Sequence, residues 1–236
     1  MTGRAAKTLL SLALLALVAG GCAPRNHFAV PSVQPVAASD AAAVARAEQT
    51  IQQLYPPQYR AIQRAIVTTG GKQFTCDGLL QTSPATGLHL AIVSSFGVVT
   101  EVRVQPDGSM ELLKVTPLFR EDWSRRFVAR DLRWLFLPPA SLTPAGRLAD
   151  GSLVLQTTPD AAGVIARYTF SPDGARWLEL DLWHAGKSFY RAVPKNFHPF
   201  AGAAHELPGS FAVTAGAYRL ELRIAEMIIT KAEGQP

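Results

Sequence analysis

Cysteine is scarce in this chain. Of 236 residues only Cys22 and Cys76 carry a thiol, so no disulfide framework is expected and stability has to come from an apolar core. Long apolar runs are lacking as well: the most apolar stretch, residues 9–18, falls well short of the roughly 20 residues that a membrane-spanning helix needs. Charge is sparse, at 17% of residues against 48% hydrophobic, which argues against disorder of the chain as a whole. The formal excess of +5 includes Arg4 and Lys7 in the first few residues, and so modest a balance points to no nucleic-acid partner. Catalytic signatures are missing too: there is no Gly-x-Ser-x-Gly elbow, no His-Glu-x-x-His pair and no phosphate-cradling glycine loop. His198 and His205 near Glu206 match no standard metal-ligand spacing, and His89 and His184 have no evident partner in the sequence. The expectation is a non-enzymatic protein without metal or cofactor, free of internal repeats.

What is present begins at the N-terminus. Arg4 and Lys7 precede the apolar residues 9–18, and Ala19-Gly20-Gly21 lead directly into Cys22. A short basic region, an apolar region and small residues make a secretory signal; a cysteine immediately after the small residues makes it the signal of a bacterial lipoprotein, whose thiol takes the diacylglycerol. The expected division is a signal peptide over 1–21, a lipidated flexible stalk over 22–38, and one folded domain over 39–236. Removing the signal leaves about 215 residues, enough for a single sizeable core. Ala23 follows the cysteine where an aspartate would direct retention at the inner membrane, so similarity to Gram-negative sorting signals implies the outer membrane.

Residues 23–39 are rich in Pro, Ala, Val and Ser without periodicity, as in a linker. Ser39 and Asp40 are placed to cap a helix over 41–54 that Pro56-Pro57 stops, with Val44, Ala47, Ile51 and Leu54 on one face. Strands are then expected over 60–68 and 72–81 about Gly70-Gly71, over 88–93, 98–104 and 110–115, over 153–157, 164–170 and 177–183, and over 210–214 and 218–224. In the last, Tyr218, Leu220, Leu222 and Ile224 alternate with charged residues, the period of a sheet with one dry face. A second helix is expected over 121–136, where Trp123, Phe127, Asp131 or Leu132, and Leu135 recur at helical spacing before Pro138-Pro139. Two helices and nine or ten antiparallel strands define an α+β fold, a sheet curved around something apolar.

The order of these elements resembles the LolA and LolB carriers, of which LolB is the lipidated outer-membrane member. The resemblance rests on Ser94-Ser95-Phe96-Gly97 with residues 100–104 after it, on Leu132-Arg133-Trp134, on Asp173-Gly174 before Trp177, and on Pro208, Phe211 and residues 213–214, 218–224 and 228–229. Thr116-Pro117-Leu118 and the helix after it are also similar to an uncharacterised lipoprotein family encoded beside aryl polyene biosynthesis genes, and the sequence does not separate the two. What the resemblance implies is a half β-barrel covered by helices, enclosing an apolar cavity for acyl chains. Its partners would be outer-membrane lipid, the acyl chains of lipoproteins or another lipidated cargo, and a periplasmic LolA-like carrier, with the protein itself a monomer. A carrier for an aryl polyene lipid and a non-transporting envelope scaffold stand as alternatives.

The resemblance places Phe96 at a turn that touches the membrane; a ring folded back over the sheet end is the other reading. Trp123, Phe127, Leu132 and Leu135 would wall the cavity as well as serve the core. Arg126, Arg130 and Arg133, with Arg125 beside them, lie along the other flank as a solvated face or a site for lipid headgroups. Cys76, in a strand-like run with Phe74 and Leu80, reads as a buried inert thiol. The N-terminal reading has a direct check: intact-mass spectrometry of the membrane fraction should find a chain that starts at residue 22 and carries acyl groups, and Cys22→Ser should abolish the acylation.

Overall fold

The computed structural model describes residue 28 and residues 32–56, 58–95, 97–117 and 121–229. Cys22 and Phe96, the expected lipidation site and membrane contact, lie outside the described residues.

Helix α1, Ala41–Gln52, follows a short 3-10 turn at Ala38–Asp40. The capping expected of Asp40 is not made. Its carboxylate instead accepts from the Ala37 amide at 3.0 Å and from Arg147 at 3.0 Å, a pairing that lowers the Asp40 pKa. The apolar face is laid down as the spacing requires, with Ala47, Ile51 and Leu54 buried and Val44 half-buried.

Twelve strands form one antiparallel sheet: β1 Tyr59–Thr69, β2 Lys72–Ser83, β3 Gly87–Ser94, β4 Gly97–Val104, β5 Met110–Val115, β6 Thr143–Arg147, β7 Leu153–Gln156, β8 Ile165–Phe170, β9 Trp177–His184, β10 Lys187–Pro199, β11 Glu206–Ala215 and β12 Tyr218–Ile229. Their order is β5-β4-β3-β2-β1-β12-β11-β10-β9-β8-β7-β6. The first and last strands pair in the middle, from Tyr59 opposite Ile229 to Thr68 opposite Arg219. The sheet is not closed, because β5 and β6 remain its two edges. Between these edge strands in the chain runs helix α2, residues 121–136, which covers the concave face. The expected curved antiparallel sheet with two helices is the observed fold. Among the described residues no helix is long and apolar enough to cross a membrane.

Two strands were not expected. β10 carries Pro194 and Pro199 and a left-handed Asn196, and β6 carries Pro144 and Gly146. Such residues demote a segment by local propensity, but the neighbouring strands supply pairing where local preference does not. Some residues within the expected stalk, 22–38, contact the folded domain. Gln34 exchanges two 2.8 Å backbone hydrogen bonds with Arg147 of β6, and Val36 packs against the core. Phe28 bridges Ser188, its ring 4.5 Å from the Arg191 guanidinium.

The concave face is filled unevenly. Over β7–β11 it holds Tyr168, Trp177 and Phe211, joined through ring contacts of 5.4–6.0 Å to Tyr59, Tyr55 and Phe136. Helix α1 sits above β7 and β9 at this end. Gly174, in the β8–β9 turn, lets the two approach. Its φ is +76°, a Cβ there would meet the Ala43 carbonyl oxygen at 2.1 Å, and its own carbonyl accepts from Thr50 Oγ1 at 3.0 Å. Gly174→Ala therefore combines a left-handed backbone with a collision, and should lower stability by about 2 kcal/mol, a fall of roughly 4–8 °C in Tm by thermal denaturation.

Candidate functional site: an apolar cavity under helix α2

The other half of the concave face is hollow. In β1 and β2 several inward positions facing α2 carry small residues: Ala65 stands opposite Cys76, and Gly78 opposite Gln63. Ala65 is flanked on its other side by Leu222 of β12. These side chains do not reach the helix, and the space left is a cavity of about 730 Å³, within the roughly 300–1,000 Å³ of small-molecule sites. Val67, Leu90, Ile92, Val99, Leu220 and Leu222 line it from the sheet. From the helix side come Trp123, Phe127, Leu132 and Leu135, the four residues named from sequence as cavity wall, together with Val128 and Phe136.

The cavity has a shallow end and a deep end. Thr69, Gly70 and Lys72 of the β1–β2 hairpin belong to its lining, as does Phe74, which is 53% exposed. Gly70 and Gly71 take φ angles of +53° and +75°, as the two-residue turn expected there demands. Ser94, at the end of β3, also lines the cavity. At the other end stand Gln63, Gly78, Leu90 and Leu135, above the solid layer of Ala61, Leu80 and Leu88. Thr69 lies six residue steps along β1 from Gln63, about 20 Å at the usual rise.

Helix α2 is not a regular α-helix. Glu121–Trp123 and Ala129–Phe136 are α-helical, and Ser124–Val128 between them forms a π turn. Ser124 is fully buried there, with its hydroxyl 3.1 Å from Thr100 Oγ1 of β4. An inserted residue shifts the helical phase. This resolves the choice between Asp131 and Leu132 left by the periodicity: both line the cavity.

Asp131 is the unexpected member. It is 9% exposed, and the Tyr218 hydroxyl donates to its Oδ1 at 2.6 Å. Arg130 in turn donates to the Tyr218 oxygen at 2.9 Å, and its guanidinium lies 4.9 Å from the Tyr190 ring centroid and 5.4 Å from that of Phe127. Burial pushes the Asp131 pKa up to about 6, although Arg130 and Tyr218 pull it back. The arginines of α2 therefore do not form one flank. Arg125 is paired with Glu121 at 2.8 Å, Arg126 is exposed, Arg130 is drawn under the helix, and Arg133 stacks on Trp134 at 4.6 Å and pairs with Asp160 at 3.5 Å.

Cys76 is half-buried, not fully buried, and lines the cavity; burial raises its pKa. His89 does have a partner, Glu101 Oε1 at 2.6 Å across β3 and β4. His198 Nδ1 lies 2.8 Å from the Asn196 carbonyl oxygen and its ring is 4.2 Å from that of Phe200. Among the described residues no three His, Cys, Asp or Glu side chains are grouped to hold a metal ion. Sequence reasoning missed Gln63, Gly78, Tyr218 and Tyr190 as site residues; the one local signal was an aspartate inside an apolar helical stripe.

An open antiparallel sheet wrapped about an apolar cavity and roofed by a helix defines the LolA-like class of fold. A LolA superfamily protein from Nitrosomonas europaea superposes with a TM-score of 0.61 at 11% identity, covering 81% of this chain and 95% of that one. An outer membrane lipoprotein-sorting protein domain, described as putative, from Vibrio parahaemolyticus gives 0.57 at 12% identity over 82% and 93%. A DUF1329 family protein from Desulfovibrio piger gives 0.54 at 10% over 83% and 94%. At these identities the likeness is one of fold. No family model and no curated protein matches the sequence itself.

The buried carboxylate makes stability depend on pH in a calculable direction. An unfolded aspartate releases its proton near pH 4 and the folded one near 6, so the folded chain holds the extra proton between these values and loses stability as pH rises through them. Urea denaturation at pH 4 and at pH 7.5 should show wild type falling relative to Asp131→Asn by on the order of 1–3 kcal/mol.

Proposed function

We propose that this protein is a lipid-anchored carrier of the outer membrane, facing the periplasm, whose cavity accepts the acyl chains of a lipoprotein or another lipidated product and passes them to the bilayer. The observation that carries this reading is the cavity itself: about 730 Å³, with a wall made mainly of aliphatic and aromatic side chains. Burying a chain there is favourable at about 0.8 kcal/mol per methylene. The same figure applies to a bilayer, so transfer in either direction turns on small differences in buried area and helix position. No reaction is part of the proposal, and neither a cofactor nor a metal is required. Two further features support the reading. The cavity is open at the hairpin end, where the partly exposed Phe74 and Lys72 stand, and the N-terminal sequence carries a lipidation signal ending at Cys22. A LolA-like periplasmic donor is the proposed source of cargo.

Filling the cavity from its sheet side tests this with little risk to the fold. The mature chain from residue 22, carrying Cys22→Ala so that it stays unlipidated, should bind a fluorescent fatty-acyl probe saturably. Ala65→Trp in the same chain places an indole where Ala65 faces the helix and should weaken binding by at least about tenfold, the loss of roughly 1.4 kcal/mol. Absence of uptake by the folded wild-type domain would overturn the carrier reading in favour of an envelope scaffold.

A further inference from the structure

Gln63 projects from the central strand β1 into the deep end of the cavity. It is 5% exposed, and its Oε1 accepts from no protein donor. Several other buried polar atoms share that condition, on Tyr55, Tyr59, Arg130, Tyr168, Trp183 and Tyr190. Among the described residues Gln63 alone of these lines the cavity.

The surroundings keep the amide there. Gly78 stands directly opposite across the β1–β2 pair. A Cβ on Gly78 would meet Gln63 Cγ and Nε2 and Leu90 Cδ1, each at 3.0 Å, so the glycine leaves the room that the amide occupies. Beside Gln63 the register of β1 against β12 shifts between Ile62 and Gln63. Such an irregularity re-aims a side chain. Leucine or methionine would fill this place without the cost of burying an unpaired amide oxygen.

From this we infer that the cavity is selective for a chain whose buried end carries a hydrogen-bonding group, a hydroxyl or phenol, that pairs with the Gln63 amide while the rest of the chain lies along the apolar wall. The inference rests on the carrier reading above and adds its specificity. The contrast with a wholly apolar cavity is one of sign. Without a partner, a terminal hydroxyl loses its water on entry and the plain chain binds better. With Gln63 as partner, the hydroxylated chain binds better and the plain one strands the amide.

The test is displacement of a fluorescent fatty-acyl probe from the mature Cys22→Ala chain by methyl palmitate and by methyl ω-hydroxypalmitate, two esters that differ in the one hydroxyl. Wild type should prefer the hydroxylated ester by roughly tenfold. Gln63→Met, close in length and without the amide, should reverse or abolish the preference and bind methyl palmitate at least as well. Equal affinity or a preference for the plain ester in wild type would overturn the inference and leave the carrier reading standing, as would a preference that survives in Gln63→Met. Failure of both esters and of the probe to bind folded wild type would overturn both. The wild-type ratio decides the matter should the variant fail to fold.

Discussion

Everything in this structure depends on one mismatch, between a wide concave sheet and the side chains available to fill it. A curved twelve-stranded sheet presents a continuous apolar face that has to be covered. Over β7–β11 the cover is direct, because Tyr168, Trp177 and Phe211 are large enough to reach the helices and the aromatic layer joins Tyr55 to Phe136. Over β1 and β2 the inward side chains of Ala65 and Cys76 are too short, and Gly78 has none. Helix α2, held up by the aromatic half, cannot descend to meet them. The hollow is thus a consequence of where the bulky residues are, and the packed half is what keeps the other from collapsing.

The position of the roof is fixed by polar contacts that a purely apolar lid would not have. Asp131, Tyr218 and Arg130 tie the middle of α2 to the start of β12, and Ser124 ties the π turn to Thr100 of β4. A buried carboxylate is costly, and this one is only partly offset, as its raised pKa records. Two discrete polar anchors define the height and register of the helix over the cavity more sharply than dispersion contacts alone, which are individually weak and non-directional. The π turn adds one residue to the helical phase and lets Asp131 face inward without turning Leu132 outward.

For a carrier the combination is useful in a specific way. A cavity that owes its volume to small residues on the sheet has a rigid floor, since the register of β1 with both β2 and β12 is continuous apart from one shift. Its roof is held over the cavity by the two polar anchors, the Arg133–Asp160 pair and a row of apolar side chains. Access through the hairpin end at Gly70, where the cavity is open, then requires no rupture of the sheet.

Much of the fold was legible in the sequence. Both helices, ten of the strands and the Gly70-Gly71 turn follow from periodicity and turn chemistry, which are local properties of neighbouring residues. The inward face of α2 was legible for the same reason, so Trp123, Phe127, Leu132 and Leu135 could be named before any contact was known. Strands β6 and β10 were not, because their prolines and glycine oppose local strand formation and only pairing across the sheet overrules it. Nor could the sequence decide that Ala65 and Gly78 face an empty space, that Arg130 turns inward while Arg126 stays exposed, or that the Gln63 Oε1 accepts from no protein donor. Each of these is set by what stands opposite in space, on strands and helices dozens of residues away. The sequence by itself determined both helices, ten strands and their dry faces; the tertiary structure alone decided the remaining two strands, and which dry face would be filled and which left hollow.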